Sequence, residues 1–109
     1  DIGCGMALAM CSLKAHKAKR DKIYKKLRNL ENDFEVDLKS LEEKFKINLE
    51  EFKSSLGTVG GGNHFLEVLS VESVENVDVF HAYNLEKDKI FLMAHSGSRG
   101  LGESILIAH

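Results

Sequence analysis

From Met6 to Leu56 the chain contains neither glycine nor proline, and then four glycines fall within the six residues Gly57 to Gly62. A long stretch free of helix breakers is open to extended regular structure. The glycine cluster forces a loop, because glycine adopts positive φ freely and lets main-chain N–H groups come close to a ligand. Before the loop, Leu27, Leu30, Phe34, Leu38, Leu41, Phe45, Leu49, Phe52 and Leu56 recur at steps of three and four. That spacing keeps them on one helical face, with the set repeating every eleven residues. The pattern predicts a helix over about residues 15–55, stopped by Gly57, or a helical hairpin if the chain breaks between Asn29 and Asp33. The stripe reads as a packing surface, against its own domain or against a coiled-coil partner.

Beyond the loop the pattern changes. Phe65 to Glu72 reads as a strand, Val77 to Ala82 as a second, and Lys89 to Ala94 as a buried strand that delivers His95 at its end. Ser96 to Gly100 forms a loop ahead of a helix starting near Leu101. At the other end, Met6 to Cys11 is either a short buried strand or the start of a helix, and Cys11 and His81 read as packing or surface residues. The expectation is an α+β fold: a single domain over residues 1–109, with a β-rich core carrying functional loops and a long helix or helical hairpin outside. Asp1 opens a motif and His109 falls inside a starting helix, so the domain is expected to be a piece of a larger one.

Composition narrows the classes. A net charge of −2 gives no overall attraction to nucleic acid or acidic membrane, so any such attraction must be local. No apolar run approaches the roughly 18 residues of a spanning helix, and no secretory signal pattern is present. Two cysteines, Cys4 and Cys11, are too few for a disulfide framework, which points to the reducing cytoplasm. Charge is split along the predicted helix. From Lys14 to Arg28 the basic residues meet a single acid, Asp21, and acids dominate from Glu31 to Glu51. The basic stretch is either a solvated face or a surface for phosphates.

Three polar islands carry the chemistry: Asp1 to Met6, Asn63-His64 at the end of the glycine loop, and His95 to Gly102. They supply a carboxylate (Asp1), a thiol (Cys4) and two imidazoles (His64, His95), each at a strand end or in a glycine-rich bend. That donor set suits zinc first, then iron, cobalt or manganese. The glycine loop, Asn63 and Arg99 add donors for an anion. A metal beside a phosphate cradle points to phosphoryl or nucleotidyl chemistry. The competing reading makes each histidine a satisfied structural residue.

Asp1-Ile-Gly-Cys-Gly-Met6, Leu56-Gly-Thr-Val-Gly-Gly-Gly-Asn-His-Phe-Leu-Glu-Val68 and His95-Ser-Gly-Ser-Arg-Gly-Leu-Gly102, in this order, resemble the RtcB-type RNA ligases of tRNA splicing and RNA repair. The resemblance implies an enzyme that joins RNA ending in a 3′-phosphate or 2′,3′-cyclic phosphate to RNA with a 5′-hydroxyl, using GTP and two manganese(II) ions. By motif, Cys4 would bridge the two ions, Asp1 and His64 would complete one and His95 would serve the other. Asn63, His64, Phe65, Leu66 and Glu67 would contact the guanylate, and Arg99 a phosphate of RNA or nucleotide. Family members are several times longer, and their guanylylated histidine lies in a His-Gly-Ala-Gly-Arg-like motif that this sequence does not contain. The stretch Ser73 to Lys87 reads as an addition between the second and third motifs. The resemblance therefore implies part of a ligase, inactive alone, that needs a further C-terminal segment or an activating protein. The alternative is a non-catalytic metal- or nucleotide-binding fragment, or a degenerate relative.

Overall fold

The structure is a computed structural model and describes residues 3–28 and 37–108. Its frame is a three-stranded antiparallel sheet in the order β1-β3-β2, formed by β1 (Gly5–Lys14), β2 (Phe65–Ser70) and β3 (Lys89–Ser96). The helices are α1 (Arg20–Leu27), α2 (Leu38–Phe45), α3 (Val77–Ala82) and α4 (Arg99–Ala108), with short 3-10 turns at Ala15–Lys17 and Glu50–Ser55. The architecture is thus α+β in its coarse form. β3 is central because it is the most continuously apolar strand, and both of its edges are paired. It holds Ile90 and Phe91, which with Leu49 make up the buried hydrophobic core among the described residues.

Register fixes the faces. His95 pairs with Met6 on one side and Phe65 on the other, Met93 with Leu8 and Glu67, and Phe91 with Met10 and Leu69. Directly paired residues point to the same side of a sheet, so these three rows share one face. Ala94 with Ala7 and Leu66, and Leu92 with Ala9 and Val68, occupy the other face. A register irregularity between Met10 and Lys14 bends the far end of β1, where Lys14 reaches Asp88 at 2.9 Å.

Several expectations from sequence are corrected. Among the described residues there is no continuous helix over 15–55. β1 runs through Lys14, α1 begins only at Arg20, and α2 ends at Phe45, where Lys46 turns left-handed at φ 55°. The reason is burial. The turn at Lys46 lets Leu49 fold back and become 3% exposed, and its N–H donates to Glu42 Oε1 at 2.6 Å. A straight helix would have left that stripe facing water, as Phe45 still does at 57% exposed. The break anticipated between Asn29 and Asp33 lies outside the described residues. Met6 to Cys11 is a strand, but not a buried one, with Met6 63% exposed. Val77 to Ala82 is a helix, not a strand. Asn76 caps it by accepting from Val79 N–H at 3.0 Å, and this local cap outweighs the apolar–polar alternation. α4 starts at Arg99, two residues earlier than anticipated.

Candidate functional site

The glycine loop, the turn between β3 and α4, and the entry to β1 meet at one end of the sheet. Gly97 shows how closely: a Cβ there would lie 2.7 Å from Cys4 Sγ and 2.7 Å from the Gly3 carbonyl oxygen. Only a residue without a side chain lets that turn rest against the Cys4 backbone. Cys4 Sγ in turn stands 3.2 Å from His64 Nε2, across sixty residues of sequence. The His64 and His95 rings meet edge-on with centroids 5.4 Å apart, and Phe65 packs on the other side of His95 at 5.5 Å.

The hydrogen bonds orient both imidazoles. His95 Nδ1 lies 3.1 Å from the Asn63 carbonyl oxygen. A carbonyl only accepts, so Nδ1 carries the proton and Nε2 keeps its lone pair. His64 is different. Whichever of Cys4 and His64 carries the shared proton, Nδ1 of His64 is buried with no hydrogen-bond partner among the described residues. Such an orphan typically costs about 1–3 kcal/mol, and a site that tolerates it is one where a ligand can relieve it. A thiol, an imidazole lone pair and an orphaned ring nitrogen make a donor set that fits a transition metal. Among the described residues, however, no three His, Cys, Asp or Glu side chains are grouped to hold a single ion. Asp1 lies outside the described residues.

Arg99 holds the loop. Its Nη2 donates to the Ser55 carbonyl oxygen and, at 2.7 Å, to Thr58 Oγ1, while Nε is buried without a partner. Its own backbone is left-handed at φ 46°, and its side chain lies close against Gly60 of the loop. Ser96 Oγ adds a second tie, donating to the Val59 carbonyl oxygen at 2.7 Å. Thr58, Ser96 and Gly97 fall within the quoted motifs without a stated role, and Ser55 falls outside them. Ser96 and Gly97 adjoin His95, but nothing in the sequence marks Ser55 or Thr58 as partners of Arg99. Of the candidate guanylate contacts, Phe65 and Glu67 lie on the His95 face of the sheet, whereas Leu66 pairs with Ala94 on the opposite face. Asn63 is exposed, and its carbonyl is the one that orients His95.

A family model described as tRNA-splicing ligase RtcB matches residues 35–109, more than half of the chain. The chain belongs to the RtcB family. RNA-splicing ligase RtcB2 of Escherichia coli is 40% identical over 111 aligned positions, covering 100% of this chain and 29% of that relative. The tRNA-splicing ligases RtcB of Thermococcus kodakarensis and Aeropyrum pernix are 48% and 50% identical over 50 positions, covering 46% of this chain and 10% of each relative. This RtcB chain thus spans less than a third of the length of these curated relatives.

Proposed function

We propose that the chain is part of a GTP- and manganese-dependent RNA ligase that joins RNA 3′-phosphate or 2′,3′-cyclic phosphate ends to 5′-hydroxyl ends in tRNA splicing and RNA repair. Membership of the RtcB family and the names of the relatives as splicing ligases support this reading. The observation that carries it is the meeting of Cys4, His64 and His95 from three distant parts of the sequence. In this reading Cys4, Asp1 and His64 would hold one manganese ion, and Cys4 and His95 a second, His95 through the Nε2 left free by its bond to Asn63. When bound, the ions neutralise phosphate charge and polarise a phosphoryl oxygen.

The chain's own residues position the reactants. Asn63 to Glu67 contact the guanylate in this reading, with Phe65 and Glu67 on the His95 face. Arg99, whose Nη2 is committed to the loop, holds a phosphate of RNA or nucleotide in this reading. The guanylylated histidine is supplied from outside residues 1–109, so no catalytic nucleophile is assigned here and this chain alone does not complete ligation. Its partners are RNA, GTP and a further ligase segment or activating protein, in the cytoplasm. Among the described residues no helix is long and apolar enough to cross a membrane.

Manganese(II) titration followed by electron paramagnetic resonance tests the site. Cys4→Ala and His64→Ala should each weaken binding at least about tenfold, in line with loss of one ligand from a small set. Parent-like binding in both variants would remove the assignment. A second reading is a metal- or nucleotide-binding module without catalysis. Incubation with labelled GTP addresses the nucleophile: a covalent guanylate on this chain would contradict its placement elsewhere.

A further inference from the structure

The basic helix α1 borders the sheet face opposite the His95 cluster. Between it and the sheet runs an open groove of about 700 Å³. Ile23 and Leu27 from α1 and Leu66 and Val68 from β2 line it. Leu66 and Val68 belong to the sheet face opposite His95. Arg20, Tyr24 and Arg28 also border the groove, and they follow one another at four-residue steps. The Arg28 N–H bonds the Tyr24 carbonyl at 3.0 Å, so helical geometry carries through all three. They form a ridge rising about 6 Å per member. Tyr24 is 69% exposed, which is unusual for an aromatic beside an apolar groove. Among the described residues the ion pairs are Lys14–Asp88 and Lys89–Glu86, and neither involves a basic side chain of α1. Arg20, Lys22, Lys25, Lys26 and Arg28 are all exposed, with Asp21 the sole acid of the helix.

We propose that the Arg20–Tyr24–Arg28 ridge and its groove form a binding platform for single-stranded nucleic acid, the guanidiniums taking phosphates and Tyr24 stacking a base over the apolar floor. Unpaired cations interleaved with an accessible ring are what a strand with exposed bases requires. A membrane surface fits less well. An interfacial helix must turn its apolar residues outward into lipid, whereas Ile23 and Leu27 line the groove. An acidic protein segment would use the charges but would leave Tyr24 without a role.

Fluorescence anisotropy with a labelled oligouridylate RNA of about twelve nucleotides tests the platform. Arg20→Gln with Arg28→Gln should weaken binding and flatten the slope of log affinity against log salt by about 1.4, two phosphate contacts at roughly 0.7 each. Tyr24→Ala should weaken binding roughly 5- to 150-fold with the slope unchanged. These side chains are exposed, and circular dichroism of each variant confirms that the fold persists. Parent-like affinity in either variant overturns the proposal. So does displacement of the RNA by polyglutamate as readily as by unlabelled RNA, or tighter Arg20- and Arg28-dependent binding to phosphatidylserine vesicles. Manganese(II) titration of the Arg20→Gln/Arg28→Gln and Tyr24→Ala variants should match the parent, because these side chains border the sheet face opposite His95, so the two readings fail separately.

Discussion

Gly60→Ala is the sharpest test of how the glycine loop is built. Gly60 has φ +92°, and a Cβ there would strike Arg99 Nη1 and stand 2.8 Å from Arg99 Cδ and 3.0 Å from His64 Nδ1. The backbone conformation alone costs an L-residue about 1–2 kcal/mol. Arg99 cannot simply swing aside, because Ser55 and Thr58 hold its guanidinium. Displacing it forfeits a charged hydrogen bond, which contributes about 1.5–3 kcal/mol. The combined loss is about 3–5 kcal/mol, a large share of the roughly 5–15 kcal/mol that stabilises a typical domain. Two neighbours serve as controls. Gly62 has φ +73° with open space around its Cβ position, so Gly62→Ala should lose only the backbone term, about 1–2 kcal/mol. Gly61 has open space and no left-handed φ, so Gly61→Ala should be neutral or gain about 0.4–1 kcal/mol. Urea denaturation followed by circular dichroism orders the three. Gly60→Ala as stable as Gly61→Ala, or less damaging than Gly62→Ala, would refute the clamp by Arg99. Because His64 is the other neighbour, Gly60→Ala should also weaken manganese binding in the same titration that examines Cys4.

Leu49→Ala should cost about 2–5 kcal/mol by denaturant melt, since Leu49 is among the few buried side chains. Glu42→Ala should cost a further separable 1–3 kcal/mol or so, by leaving the Leu49 N–H without its acceptor. The Lys14–Asp88 pair sets a pH dependence. Its hydrogen bond holds the Asp88 carboxyl below the usual range and the Lys14 ammonium above its own. The Asp88 contribution is complete above the unfolded carboxylate range and is lost as pH falls through its lowered folded value. That of Lys14 is complete below the unfolded lysine range and is lost as pH rises through its raised folded value. Thermal midpoints of Asp88→Asn should therefore sit slightly and constantly below the parent's across neutral pH and converge with it in acid. The gap is small because both groups face solvent.

Much of the β half was legible residue by residue. Ile90 to Ala94 is apolar on successive positions, a pattern that only a strand covered on both faces or a buried helix can use, and its short length selects the strand. At the N-terminus, the spacing of Met6 to Cys11 suits a short buried strand or the start of a helix equally, and only pairing with β3 makes it a strand, an exposed one. Alternation reports that Met6, Leu8 and Met10 share a face, and says nothing of what lies opposite. Val77 to Ala82 alternates like a strand, yet Asn76 placed the first turn of a helix. Each step of the stripe through Leu38, Leu49 and Phe52 obeys helical spacing, which by itself allows one continuous helix there. Where that helix breaks depends on the burial of Leu49 and on Glu42 reaching back to its N–H, neither of which is a property of spacing.

The amino-acid order by itself determined the family motifs, the apolar central strand and the residue types offered at the three polar islands. These are short-range properties, written in neighbouring side chains. The fold alone decided that Cys4 stands against His64, that Asn63 orients His95, and that Arg99 is tied to Ser55 and Thr58 beneath the glycine loop. Each of those contacts joins residues more than thirty positions apart. Contacts at that separation come from chain closure around the sheet, and no local preference encodes them.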